Sequence, residues 1–459
     1  MEAALKHSLE KMRAHFDSGA TRPYAARVAA LEALRAAVLR HEGAINEALM
    51  TDLGKSVEET WVTETGFLLG EIRHTLKHLK AWMRPEKVPT NLLNLPSRSR
   101  IHREPLGVVF LIAPWNYPLQ LLLAPLVGAL AAGNCAVLKP SEFAPATAAL
   151  LRRIITDAFP PEQVLIVEGD GAEVIPPLMR GFRFDHVFYT GSTAVGQKIY
   201  ALAAERLVPV TLELGGKSPC VVAADANLRV AARRIAVTKF SNAGQMCVAP
   251  DYVLVHASVK DAFVDQLKAT ILQFFTDDPA RSGHYGKIVN DRAFARLTGY
   301  LQQGTVLFGG QHDAATRYIA PTLLEGVSPE SALMGEEIFG PLLPILTYTS
   351  DEEARALIRR HPDPLAFYLF TESAAAERAW IESVPFGGGC INNASWHLTN
   401  PALPFGGRGP SGIGAYHGRF SFETFSHRKA LLKTPTWFDP DLKYPPFAGK
   451  LKWFKKVIR

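Results

Sequence analysis

Between residues 108 and 189 the chain alternates short, unbroken apolar runs with helix-forming stretches, and this rhythm limits the folds open to it. Strands are expected over 108–113, 136–139, 164–168 and 186–189, with helices after Pro118, over 144–159 and near 174–179. Apolar runs without polar alternation are buried on both faces, the habit of parallel strands covered by helices. The expected class is therefore α/β. Such sheets take ligands at the carboxyl ends of their strands, so a nucleotide site is expected there.

A second alternating block starts near Val221 and runs through strands at 252–255, 318–324 and 342–348, with a helix over 259–275. It reads as a second α/β domain. Ahead of both blocks, Val28, Leu31, Leu34, Val38, Ile45 and Leu49 recur at helical spacing, and Gly54 is placed as a stop. The segment 84–103 holds Pro85, Pro89 and Pro96, so it reads as an extended arm suited to subunit contacts. Glycine-dense stretches at 386–389 and 404–409 mark irregular backbone returning toward a cleft between the two domains.

At 459 residues, 47% hydrophobic and 20% charged, the chain can bury large cores. A formal charge of +6 spread among acidic residues gives no nucleic-acid footprint. Cys135, Cys220, Cys247 and Cys390 form no CxxC pair and no metal-ligand spacing, which fits a reducing, cytoplasmic setting without a metal. Cys135 and Cys220 lie in strand-like runs; Cys390 follows three glycines and is expected in a turn. The longest apolar run, 119–132, contains Pro125 and Gly128 and reads as a buried helix rather than a membrane span. The last ten residues interleave basic side chains with Leu451, Trp453, Phe454, Val457 and Ile458. A short helix laying its apolar face on the protein is the favoured reading there, with peripheral membrane contact as the alternative.

Chemistry concentrates in a few loops. In Ser241-Asn242-Ala243-Gly244-Gln245-Met246-Cys247 a cysteine sits among small and polar residues, where a thiolate could attack carbonyl carbon. A buried structural thiol is the competing reading. In Leu212-Glu213-Leu214-Gly215-Gly216-Lys217 burial should raise the pKa of Glu213 and suit it to activate water; the alternative is a carboxylate paired with Lys217. In Ala113-Pro114-Trp115-Asn116-Tyr117-Pro118 the prolines hold one amide that could receive an oxyanion, or the asparagine could bond its own turn. Lys139 and Glu142 suit a nucleotide ribose or a surface ion pair, and Thr190-Gly191-Ser192-Thr193 would open a helix where a phosphate settles. Glu336-Glu337-Ile338-Phe339-Gly340-Pro341 adds an acid beside an aromatic.

In their order, PWNYP, VLKPSE, TGSTAVG, LELGGKSP, the NAGQMC loop, EEIFGP and the PFGG loop resemble the aldehyde dehydrogenase superfamily over nearly the whole chain. The short N-terminus and the run from Ser411 through Arg428 resemble its class 3 branch. The resemblance implies Cys247 as nucleophile, Glu213 as general base and Asn116 as oxyanion donor. It implies Lys139 and Glu142 at the adenosine ribose, Ser192 at the pyrophosphate, and Glu337 with Phe339 at the nicotinamide end. Trp115, Ser141 and Gly191 go to the same cofactor side, and Lys217 is left structural.

The implied fold is a Rossmann-like cofactor domain (1–86 and 107–212), an α/β catalytic domain (213–403) and a small oligomerisation arm (87–106 and 424–440). A return segment (404–423) lies near the cleft, followed by a tail (441–459). The implied reaction is NAD- or NADP-dependent oxidation of medium-chain aliphatic or aromatic aldehydes to acids, through a thiohemiacetal and a thioester, in a homodimer. A semialdehyde or coenzyme A-acylating dehydrogenase of the same fold, or a silent scaffold, are the alternatives; Glu213 argues against acyl transfer to coenzyme A.

Overall fold

The computed structural model describes residues 3–457. Its first sheet runs Gly412–Ile413, Val210–Glu213, His186–Thr190, Val108–Ile112, Cys135–Lys139, Val164–Ile166. All neighbours are parallel except the short antiparallel edge that Gly412–Ile413 makes with Val210–Glu213. Because side chains alternate across a strand, Val109, Leu111, Ala136 and Leu138 join one core, while Val108, Phe110, Cys135 and Val137 join another on the opposite face. Helices cover both. Residues of Tyr24–Arg40, Gly66–Trp82, Gln120–Ala132 and Pro145–Ala158 fill the first core, and those of Ala3–Asp17 and Gly171–Gly181 the second.

Successive strands step outward from Val108–Ile112 in one direction and then return to its other side with His186–Thr190. This reversal opens a crevice beyond the carboxyl ends of those two strands. Ala113-Pro114-Trp115-Asn116 leaves one of them and Gly191-Ser192 the other.

The second sheet runs Thr305–Phe308, Thr322–Glu325, Leu342–Tyr348, Tyr252–His256, Pro219–Val222, Ala366–Phe370, Gly388–Ile391. Only its first pair is antiparallel. A third, antiparallel sheet joins Glu86–Val88, Arg98–Pro105 and Ser426–Lys433, so the expected extended arm is strand at its two ends, while Pro89 and Pro96 lie in the connection between them.

Several local expectations change. The N-terminal helical stretch breaks at His41 into Tyr24–Arg40 and Glu42–Leu53, and Gly54 ends the second in a left-handed conformation (φ 70°). Residues 318–324 form two strands, not one: Pro321 falls between Tyr318–Ile319 and Thr322–Glu325. Cys390 lies in strand Gly388–Ile391, not in a turn. The glycines before it are there for close approach: a Cβ on Gly389 would stand 2.3 Å from the Phe367 carbonyl oxygen. The tail forms helix Leu451–Val457, but Leu451 and Trp453 are exposed, so the expected packing of its apolar face on this chain is not found. Ile458 and Arg459 lie outside the described residues.

Every residue of helix Gln120–Ala132 is buried, Pro125 included, and among the described residues no helix is long and apolar enough to cross a membrane. Gly128 lets helix Gly418–Thr424 lie against it: an added Cβ would stand 2.6 Å from Ser421 Cβ and 3.2 Å from Phe425. Gly128→Val should lower the apparent melting temperature, with a loss of about 1–3 kcal/mol from overpacking. An unchanged thermal midpoint by circular dichroism would contradict this contact.

Candidate active site

A cavity of about 760 Å³ reaches in from the surface to Cys247. Its floor is formed by Cys247, Met246, Glu213, Leu214 and Thr190, the last three at the carboxyl ends of first-sheet strands. Its walls are apolar and come largely from Trp61, Phe67, Leu121, Trp396 and Leu398. Tyr416 and Phe405 arrive from the returning segment. Trp61–Thr65 is a π-helical turn, an irregularity that often marks functional helices, and no apolar period announces it in the sequence.

The cysteine loop is held in an unusual backbone. Asn242 and Ala243 both take left-handed conformations (φ 50° and 51°), costly for residues with a Cβ, and Gly244 follows at φ 74°. The surroundings impose this shape. Gly244 lies so close to the Gly340 carbonyl that an added Cβ would stand 2.2 Å from it. Gln245 then locks the loop: its Nε2 donates to the carbonyls of Asn242 and Lys287 at 3.0 Å each, and its Oε1 accepts from the Val289 N–H at 3.0 Å. Tyr368 donates its hydroxyl to the Val248 carbonyl at 2.6 Å. Cys247 is thereby presented on a rigid support.

Asn116 is buried beside that loop and does not bond its own turn. Its Nδ2 donates to the Gln245 carbonyl at 3.0 Å, two residues before the cysteine. An amide nitrogen carries two protons, so this bond orients the group and leaves one proton for another acceptor.

Glu213 ends its strand buried, and neither carboxylate oxygen has a partner. The sequence alternative, pairing with Lys217, does not occur. Lys217 instead makes a very short ion pair with Asp251 and donates to the carbonyls of Leu333 (2.8 Å) and Glu336 (2.9 Å). Burial alone therefore pushes the Glu213 carboxyl well up. Burial also pushes up the Cys247 thiol, and the nearby carboxylates of Glu337 and Glu213 add to the effect. Glu337 is raised to about 8, first by burial and then by Asp251, against the pull of the Gly216 N–H, Lys217 and Lys239.

The residues assigned to a cofactor form a second group, outside the cavity lining. Lys139 is buried and donates to Glu142 Oε2 at 2.8 Å, so this is an ion pair with only one exposed partner. Burial pushes the Glu142 carboxyl up, but bonds from Lys139, its own backbone and the Gly171 N–H outweigh it and hold the group low. Ser141 is buried just before it and accepts from the Phe143 N–H at 3.3 Å. Ser192 occupies the N-cap of helix Thr193–Ala204 without capping it, so the helix N-terminus faces the crevice with its N–H groups unspent by that side chain. Gly191 fits against Tyr189, where an added Cβ would stand 2.3 Å from the phenol oxygen.

Phe339 (φ 49°) meets Trp115 edge to face at 5.4 Å, and Glu337 lies against Gly215. The structure thus brings Cys247 and Glu213 to the cavity floor, while Asn116 is buried outside the lining and bonded to the cysteine loop. It sets Lys139, Ser141, Glu142, Gly191 and Ser192 along the crevice, with Trp115, Glu337 and Phe339 close to both. Sequence reasoning missed Lys55, Glu59 and Glu64, whose contacts reach the same two loops from the N-terminal region, and the bond by which Asn242 of the cysteine loop holds the Asn116 carbonyl.

A crevice at the strand ends, beside a half-buried cysteine and an unpaired buried glutamate, fits an oxidoreductase site. Residues 1–431 match the Aldehyde dehydrogenase family, and the chain belongs to it. It is 47% identical to 4,4'-diaponeurosporen-aldehyde dehydrogenase of Staphylococcus aureus (strain NCTC 8325 / PS 47), over 97% of each chain. It is 44% identical to aldehyde dehydrogenase family 3 member H1 of Arabidopsis thaliana, over 99% of this chain and 95% of that one. With the dimeric NADP-preferring aldehyde dehydrogenase of Rattus norvegicus the identity is 43%, over 98% and 99%. The solved substrate-bound Staphylococcus aureus AldH superposes with a TM-score of 0.97 at 45% identity, covering 100% of both chains.

A buried carboxyl with a raised pKa penalises the folded state once pH exceeds its unfolded value, and the penalty grows until the folded pKa is passed. Relative to wild type, Glu213→Gln should therefore gain melting temperature as pH rises from 4.5 to 8. A constant difference across that range would contradict the burial of an unpaired carboxyl.

Proposed function

We propose that the chain oxidises aldehydes to carboxylic acids, with Cys247 as nucleophile, Asn116 as oxyanion donor, Glu213 as general base and NAD or NADP as cofactor. One observation carries this reading: Cys247 and Glu213 share the floor of a single cavity, and the Glu213 carboxyl there has no partner of its own. Such a carboxyl can take a proton from the water that hydrolyses a thioester.

The Cys247 thiol gives its proton to solvent as its sulfur forms a bond to the carbonyl carbon, and the carbonyl electron pair moves onto oxygen. The second Nδ2 proton of Asn116 and the Cys247 backbone N–H stabilise that charge. The nicotinamide cofactor, when bound, supplies the acceptor for the hydride that the tetrahedral carbon releases with its electron pair, leaving a thioester on sulfur. The uncapped helix end at Ser192 suits its pyrophosphate, Lys139 with Glu142 its adenosine ribose, and Glu337 with Phe339 and Trp115 its nicotinamide end. Glu213 then takes a proton from water as the water oxygen attacks the thioester. The C–S bond breaks, the acid leaves, and sulfur departs as thiolate.

The apolar walls suit medium-chain aliphatic or aromatic aldehydes, and the Staphylococcus aureus relative is named for 4,4'-diaponeurosporen-aldehyde. Glu142 disfavours a 2′-phosphate by charge, whereas the rat relative is named as NADP-preferring; use of both cofactors accommodates the two. A homodimer built through the three-stranded arm fits that relative's name as dimeric, and strand Ser426–Lys433 offers it an exposed edge. A reducing cytoplasm suits the free thiols, Cys247 among them.

With hexanal and either cofactor, Cys247→Ala should abolish NADH or NADPH formation. Glu213→Gln should keep a first-turnover burst while its steady-state rate falls about 10²- to 10⁴-fold, as loss of a general base predicts. Full activity in Cys247→Ala, or a Glu213→Gln variant whose burst is lost in proportion to its steady state, would overturn these roles.

A further inference from the structure

The proposed reaction leaves a fully buried cation unused. Lys55 follows the helix-ending Gly54, has no exposed surface and does not line the cavity. Its ammonium donates to Glu64 Oε1 at 2.7 Å and to the main-chain oxygen of Asn116 at 2.9 Å, and lies 3.9 Å from the centre of the Tyr117 ring. Three donors are thus met by a carboxylate, a carbonyl and a π face. The other Glu64 oxygen accepts from the Gln120 N–H at 2.9 Å, where the next helix begins. The pair grips the chain on both sides of Tyr117-Pro118.

The same Asn116 carbonyl takes a second bond, from Asn242 Nδ2 at 2.9 Å, and the Asn242 N–H donates to Glu59 Oε1 at 2.7 Å. Asn116 is therefore fixed at its carbonyl by Lys55 and Asn242, and at its amide by Gln245. Stability alone does not call for ions here, since a well-packed apolar pair of similar volume is often as stable as a buried ion pair. What an apolar pair cannot do is hold a peptide oxygen in one place.

We propose that Lys55, anchored by Glu64, is a positioning residue for the oxyanion donor: it clamps the Asn116 peptide so that the free amide proton meets the carbonyl oxygen as Cys247 adds. This rests on the reading of Asn116 as that donor. Lys55 acts through Asn116 and touches neither substrate nor cofactor. Removing it displaces the donor, and misplacement of a reacting group by about 1 Å costs about a hundredfold in rate.

The test is a double-mutant cycle on the first-turnover rate of NADH formation with hexanal, with NAD affinity read separately by fluorescence titration. Lys55→Met/Glu64→Gln removes the ammonium without stranding a buried carboxylate. It should slow the first turnover about ten- to a hundredfold with NAD affinity unchanged, and in an Asn116→Ala background the same pair should change the rate by less than about twofold. An equal slowing in both backgrounds, or a wild-type rate in the first, would overturn the positioning role while leaving Asn116 as donor. A wild-type rate in Asn116→Ala alone would overturn the donor reading itself and this role with it. If the pair fails to fold, Glu64→Gln alone serves: it should slow the reaction about two- to fivefold and lose that effect in Asn116→Ala, and an additive effect would overturn the proposal.

Discussion

One buried carbonyl ties the PWNYP turn to the cysteine loop. The Asn116 main-chain oxygen receives Lys55 from the N-terminal helices and Asn242 from the cysteine loop, so three remote stretches of sequence converge on one peptide plane. Far from water such bonds gain electrostatic strength, and the cost of leaving any member unmade rises with it. Removing a single partner of the Lys55–Glu64 pair would cost about 3–5 kcal/mol, because the other charge would stay buried alone. The lattice is thus both a fixture for the site and a point of fragility.

Toward the site the pairing thins out. Asn116 Oδ1 and Asn242 Oδ1 are already without partners, and the cavity floor holds Glu213 with neither oxygen bonded and Thr190 with a free hydroxyl. Unsatisfied groups are expensive, and they are expected where a substrate or a water is to be met. Burial raises both Cys247 and Glu213, so each holds its proton more tightly than usual. The left-handed residues Asn242 and Ala243 add backbone strain that the surrounding bonds of Gln245 hold in place.

Much of this was legible from local pattern. The apolar runs between 108 and 189 announce a parallel sheet because burial on both faces leaves no polar alternation, and the strands lie where that logic puts them. Gly54 stops its helix as glycine should. What local pattern cannot carry is pairing between distant residues. Lys217 stands near Glu213 in sequence yet bonds Asp251, and nothing in the spacing tells the two carboxylates apart. Lys55 lies in the short link after Gly54 and Glu64 in the helical turn that follows, where charge normally means solvent; only the fold shows that both dip beneath the PWNYP turn. The glycines before Cys390 misled for a related reason, since they permit close strand contact as readily as they form turns.

The account stands or falls on a covalent acyl group carried by one sulfur. Glu213→Gln mixed with hexanal and NAD, quenched in acid within the first turnover and digested, should yield a hexanoyl mass increment on the peptide containing Cys247 alone. An increment on another residue, or none at all while NADH has formed, would contradict it.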